Sequence, residues 1–232
     1  MVTRRIGLLV PSSNSVMELD FHRALDGLAN VHTDRMYMVD TTREGEQYML
    51  DHEAVPAARR IATVEPDAVV FGCTSASSLH GAQYDQEFRD RLQKTTGVPV
   101  LGVLTSAIAE LEGAGRVGLF TPYIDELTAT IADSLQAAGV QVVVRLGLGI
   151  DNNFDIGLLT PHDVTTAVLG MDLSDVDTIF CSCTNLRAME ARQTLIEQTG
   201  RSVVTSNHAV IRHVERFLEQ SASPSSPEVK SR

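Results

Sequence analysis

The residues best suited to chemistry in this chain are two cysteines in matched surroundings. One sits in Asp67-Ala68-Val69-Val70-Phe71-Gly72-Cys73-Thr74-Ser75. The other sits in Asp177-Thr178-Ile179-Phe180-Cys181-Ser182-Cys183-Thr184-Asn185, close to half the chain further on. A thiol whose pKa is brought near neutrality can act as nucleophile, acid or base. Each run is short, apolar and rich in Val, Ile or Phe, which suits a buried strand. In each, Cys-Thr falls where the strand ends and a helix could begin, so N–H groups and the helix dipole are expected to favour the thiolate. A single cysteine ending a buried strand is ordinarily a small hydrophobe. The duplicated context favours instead one site with Cys73 on one wall and Cys183 on the other. Cys181, two residues before Cys183 and deeper on the same strand face, is expected to be structural.

The neighbours of the cysteines suit a small carboxylate. Thr74, Ser75, Thr184 and Asn185 bring hydroxyl or amide groups and backbone N–H groups to the same turns. Asn14 and Tyr123 approach from two further loops, Pro11–Asn14 and Thr121–Tyr123. Asn14, Ser75 and Asn185 are equally good helix caps, and Tyr123 could simply pack. No arginine lies in these four loops, and Arg187 is just outside them. Neutral donors are therefore expected to hold the carboxylate.

Other chemistries find little support. Cys181-x-Cys183 with Cys73, His80 or His208 is a poor metal pattern without CxxC, HExxH or a spaced histidine pair. There is no GxGxxG, no Walker lysine and, despite Ser12, Ser13 and Ser75, no GxSxG. Neither a metal nor a cofactor is expected. A Cys73–Cys183 disulfide requires the cleft nearly to close.

The elements that must position these groups alternate. Strands are expected at 6–10, 31–39, 67–72, 98–103, 116–121, 140–148, 177–182 and 202–204. Helices are expected between them, among them 14–28, 46–63 (bent at Pro56), 81–94, 124–138, 186–198 and a last one to Gln220. Asp151 to Gly157 reads as a polar loop. Arg116-Val117-Gly118-Leu119-Phe120-Thr121-Pro122 repeats Arg5-Ile6-Gly7-Leu8-Leu9-Val10-Pro11, and Thr205-Ser206 repeats Thr105-Ser106. The fold class is therefore α/β, with two pseudo-symmetric parallel-sheet, Rossmann-like half-domains at 1–113 and 114–220. A Ser-, Pro- and charge-rich tail at 221–232 is expected to be disordered. Ligands bind beyond the carboxyl ends of such strands, which places the site in the cleft between the halves.

The 232-residue chain carries a net charge of −11, against a nucleic-acid or anionic-membrane partner. It has no apolar stretch long enough to span a bilayer and no signal-peptide pattern. Three cysteines do not make a disulfide framework. A cytoplasmic protein with a small-molecule carboxylate substrate is expected, and a homo-oligomer is left open.

The set Val10-Pro11-Ser12-Ser13-Asn14, Gly72-Cys73-Thr74-Ser75, Thr121-Pro122-Tyr123 and Ser182-Cys183-Thr184-Asn185 resembles the aspartate/glutamate racemase superfamily. Within it the match is to the maleate cis-trans isomerase and arylmalonate decarboxylase branch, over about residues 4–220. The resemblance implies a cofactor-free site between two α/β domains, with one catalytic cysteine from each. Glutamate racemases carry an Asp-Ser-Gly loop after the first strand, where this chain has Pro11-Ser12-Ser13-Asn14, which disfavours amino-acid racemisation. Arylmalonate decarboxylases carry glycine where this chain has Cys73, which disfavours decarboxylation, although Thr74, Ser75 and Tyr123 match that group's carboxylate-holding residues. Maleate isomerases keep both cysteines, with an Asn and a Tyr matching Asn14 and Tyr123. The expected activity is isomerisation of a small dicarboxylate, maleate to fumarate first, with Cys73 as nucleophile and Cys183 managing the proton. The alternatives are a two-thiol racemase (including the ectoine-utilisation type), an arylmalonate-type decarboxylase, and a carboxylate-binding protein without turnover.

Overall fold

The computed structural model describes residues 4–222. Two four-stranded sheets are built to the same plan. In the first, β1 (Arg5–Pro11) lies between β2 (Asn30–Met36) and β3 (Ala68–Phe71), with β4 (Val100–Gly102) beyond β3. In the second, β5 (Arg116–Thr121) lies between β6 (Gln141–Gly147) and β7 (Thr178–Cys181), with β8 (Ser202–Thr205) beyond β7. All pairings are parallel. The protein is an α/β fold. Strands β1, β3, β5 and β7 are covered on both faces, which is why they read as continuous apolar runs rather than alternating ones.

The same device pins the base of each sheet. Asp67 accepts from the backbone N–H of Arg5 at 2.7 Å and from Arg4 Nη1 at 2.8 Å. Asp177 accepts from the backbone N–H of Arg116 at 2.9 Å and from its Nε at 3.1 Å. With that register set, Leu9 pairs with Phe71 and Phe120 with Cys181, so the carboxyl ends carrying Cys73 and Cys183 end level with the central strands.

The helices are α1 (Met17–Ala24), α2 (Arg43–Tyr48), α3 (Ala54–Ala62), α4 (Thr74–Ser78), α5 (Gly81–Thr96), α6 (Val103–Glu110), α7 (Asp125–Ala137), α8 (Asn153–Leu158), α9 (Pro161–Leu169), α10 (Ala188–Thr199) and α11 (Ser206–Ala222). Gly97 (φ 75°) and Gly200 (φ 66°) end α5 and α10 in the left-handed conformation that a side chain would disfavour. Thr160 and Asp163 form a reciprocal capping box over Pro161 at the start of α9.

Four expectations need adjustment. The helix expected over 46–63 forms within one continuous helical run from Arg43 to Ala62, but its turn Met49–Glu53, between α2 and α3, is widened to π-helical geometry. Pro56 lacks an N–H and its ring crowds the carbonyl four residues back, so a regular helix cannot run through. Helix α1, capped by Asn14 as expected, ends at Ala24 rather than at Leu28. The stretch 151–157 is not all loop: Asn152 Oδ1 accepts from the N–H groups of Phe154 (3.1 Å) and Asp155 (3.2 Å) and starts α8. Ser221, placed in the tail, belongs with Ala222 to α11, and 223–232 lie outside the described residues.

Helix α11 leaves the second sheet and crosses onto the first. Val210, Ile211 and Val214 pack with Ile6, Leu8, Val10 and Phe21. Burying each such aliphatic side chain is worth about 1.5–3 kcal/mol, so the first half relies on the last helix of the chain. Over the opposite, carboxyl-end face, Asn153 N–H donates to Val39 O at 3.0 Å and residues Asp40 and Asn152 form an antiparallel bridge. The loop after β2 and the loop after β6 thereby meet across the cleft. Among the described residues, no helix is long and apolar enough to cross a membrane.

Candidate active site

Cys73 follows Gly72 at the end of β3. A Cβ at position 72 would lie 2.7 Å from Leu9 O and 2.8 Å from Met17 Sδ, so only glycine lets β3 come this close to β1 and α1. Cys73 is extended and starts α4. Its Sγ is 3.7 Å from Ser75 Oγ and accepts from the backbone N–H of Ala76. Cys183 occupies the equivalent place after β7. Its Sγ accepts from the N–H of Asn185 at 3.2 Å, from the N–H of Leu186 and from the Tyr123 hydroxyl. Both are free thiols with 3% exposure.

The expected lowering of the thiol pKa is not what the structure gives. Burial pushes the Cys183 thiol up to about 12, against the hydrogen bonds from Tyr123, Asn185 and Leu186. Burial, then the Glu46 carboxylate, push Cys73 further up, against Ala76 and Ser75. The helix dipole is too small to compensate: α4 is a single short helix of five residues, and α10 begins only at Ala188, beyond a turn. Cys181 is pushed to about 12 by burial alone, with no polar group aimed at it. Tyr123 is buried, and burial followed by the nearby Cys183 and Cys73 charges raises its pKa, so the phenol stays a donor.

The remaining predicted residues divide into two groups. Ser75 and Tyr123 face the thiols. Asn14, Thr74, Thr184 and Asn185 tie the halves together around them. Asn14 Oδ1 caps α1 by accepting from Val16 and Met17 N–H, both at 3.0 Å, while its Nδ2 donates to Thr184 Oγ1 at 3.0 Å. Thr184 Oγ1 in turn donates to Gly72 O at 3.0 Å. Thr74 Oγ1 pairs with Ser206 Oγ at 3.0 Å, and Asn185 Oδ1 accepts from Ser15 N–H at 2.8 Å. The cap and the cross-cleft contact at Asn14 are thus made by the two ends of one amide.

One residue of the site was missed from sequence. Glu46, on α2, is fully buried, and its charge raises the pKa of Cys73, Cys183 and Tyr123 alike. Burial lifts its own carboxyl from the ordinary 4.5 to about 8, with Ser75 and Arg43 acting the other way. Neither carboxyl oxygen completes a hydrogen bond of ordinary geometry. A signal was present: Glu46 precedes Met49 by three residues and Leu50 by four, which puts it on the apolar face of its segment. Arg43 turns away to Glu126, at 2.9 Å. Arg187 pairs with Glu190 at 2.8 Å, half-exposed and out of the site. Among the described residues, no group of three or more His, Cys, Asp or Glu is arranged to hold a metal ion.

Two thiols from duplicated halves, a neutral phenol and a set of neutral donors could add to, or move a proton on, a small carboxylic acid. Comparison with known proteins narrows this. Residues 6–228 match the family described as arylmalonate decarboxylase. The chain belongs to that family. A maleate isomerase from Nocardia farcinica is 30% identical over 194 residues, 79% of this chain and 77% of that protein. A maleate isomerase from Geobacillus stearothermophilus is 27% identical over 231 residues, 92% of this chain and 91% of that protein. A solved cysteine-to-serine variant of the Nocardia farcinica maleate cis-trans isomerase, with a covalently bound succinylcysteine intermediate, superposes with a TM-score of 0.86 at 24% identity, covering 94% of this chain and 93% of that one. That superposition establishes the shared fold. Together these place the chain in the maleate isomerase and arylmalonate decarboxylase branch.

Proposed function

We propose that this protein is a cofactor-independent cis-trans isomerase of a small dicarboxylate, converting maleate to fumarate. The observation that carries the reading is the pair of thiols on facing turns, Cys73 beside Ser75 and Cys183 beside Tyr123. The maleate isomerase relatives, which span most of the chain, support it.

Rotation about a carbon–carbon double bond requires that bond to become single for a moment. The Cys73 thiolate adds to one alkene carbon, and the adjacent carboxylate takes up the developing charge. The Cys183 thiol delivers its proton to the neighbouring carbon. The result is a succinyl thioether on Cys73 and a thiolate on Cys183. After rotation the Cys183 thiolate removes a proton from that carbon, the double bond re-forms, and Cys73 leaves as thiolate. Backbone N–H groups at the two turns and the Tyr123 hydroxyl stabilise the charge on the carboxylate. Burial holds both thiols protonated in the closed cleft, so Cys73 must give up its proton before it attacks. The covalent succinylcysteine trapped in the Nocardia farcinica maleate cis-trans isomerase is the intermediate this scheme requires. The three cysteines and the composition fit action in the cytoplasm, where thiols stay reduced.

Proton NMR of the protein incubated with maleate, aspartate or phenylmalonate tests the reading. Fumarate appears from maleate, and Cys73→Ser forms none. Racemisation of aspartate or decarboxylation of phenylmalonate, without fumarate from maleate, would replace the isomerase reading with one of the other two.

A further inference from the structure

Glu46 has no part in the scheme above, yet it lies in the same buried space as the groups that do. It is 0% exposed, and neither carboxyl oxygen has a hydrogen-bond partner. A buried carboxyl left in this condition is costly unless something later pairs with it. The groups facing it come from four places. Arg43 is on its own helix, with its guanidinium on Glu126 and, at 3.5 Å, Leu79 O. Cys73 and Ser75 belong to the turn after β3, Tyr123 follows β5, and Cys183 follows β7.

Apart from Arg43, whose guanidinium turns to Glu126, none of these facing groups is a cation. An ionised Glu46 would stand beside a thiolate and a substrate dianion, four negative charges in a space of low dielectric. A neutral Glu46 carries an O–H donor that completes no hydrogen bond of ordinary geometry, the nearest hydroxyl being that of Ser75. We propose that Glu46 is a substrate-binding residue that works in its protonated form, donating its hydrogen bond to one carboxylate of the dicarboxylate substrate. The role rests on the dicarboxylate reading above. It makes a proton a co-ligand of the substrate, and it explains how an acidic side chain can line a site for an acidic ligand. Burial, against Ser75 and Arg43, already lifts its pKa to about 8, and a bound dianion lifts it further.

The test is the pH dependence of maleate binding in the Cys73→Ser protein, which cannot form the adduct, measured by isothermal titration calorimetry. Above pH 8 the dissociation constant should rise about tenfold per pH unit, because the free carboxylate must be protonated before maleate binds. Adding Glu46→Gln, which keeps a donor and cannot ionise, should flatten that dependence and leave affinity at pH 7 within about threefold. Adding Glu46→Ala should also flatten it but weaken binding about tenfold, the loss of one hydrogen bond. If wild-type protein converts maleate while binding is flat with pH, or equally pH-dependent with and without Glu46→Gln, the role of Glu46 is wrong and the isomerase reading stands. If wild-type protein neither binds nor converts maleate at any pH, the isomerase reading fails and takes this role with it.

Discussion

The carboxyl of Glu46 should leave a mark on stability that needs no substrate to be seen. Its pKa rises from the ordinary 4.5 to about 8 on folding, because burial disfavours the ion. Below pH 4.5 the folded and unfolded chains both hold the proton and Glu46 has no pH effect. Between 4.5 and 8 the folded chain keeps a proton that the unfolded chain has lost, so stability falls as pH rises. Above 8 the loss is complete. At about 1.36 kcal/mol per pH unit the whole span is worth up to about 5 kcal/mol. Glu46→Gln removes the titration and keeps the shape. Urea denaturation of both proteins at intervals from pH 4.5 to 8.5 reads the difference directly. The wild-type curve should fall relative to Glu46→Gln across that window. Other buried acids do not confuse the comparison: Asp20, raised by burial to about 6, is present in both proteins. Parallel curves would mean that Glu46 is solvated or paired in the folded chain, and the reasoning about its burial would be refuted.

Two further substitutions separate structural from functional groups. Cys181→Ser should retain maleate turnover and lose about 1–3 kcal/mol in denaturation, the cost of a buried hydroxyl without a partner; loss of turnover in a stably folded protein would give Cys181 a chemical role. Tyr123→Phe should slow turnover more than Arg187→Ala, whose exposed pair with Glu190 is worth less than about 1 kcal/mol; steady-state kinetics showing the reverse order would mean that a cation, not neutral donors, holds the carboxylates.

The architecture was legible because each half repeats strong local signals. The central strands are apolar throughout, since both faces are covered, and Arg5–Asp67 recurs as Arg116–Asp177 at the base of each sheet. Glycines at 97 and 200 mark equivalent helix ends. The chemistry at the cysteines was only partly legible. Their position at strand ends follows from pattern, but their acidity depends on how completely the halves close over them, and that is set by long-range contacts. The same is true of Asn185 and Thr74, whose side chains answer to Ser15 and Ser206 far away in the chain. Glu46 was hidden for a different reason. An acidic residue in an amphipathic segment ordinarily faces water, and only its register with Met49 and Leu50 marked it as buried.

The central claim is that Cys73 bonds to the substrate and Cys183 moves the proton. Its most direct test is intact-protein mass spectrometry, with peptide mapping, of Cys183→Ser after mixing with maleate. The account predicts a succinyl group added to Cys73 and to no other residue, because water can slowly supply the proton to the neighbouring carbon while no thiolate remains to take it back. Rapid turnover by Cys183→Ser, or a succinyl group on Cys181 with Cys73 unmodified, would contradict it.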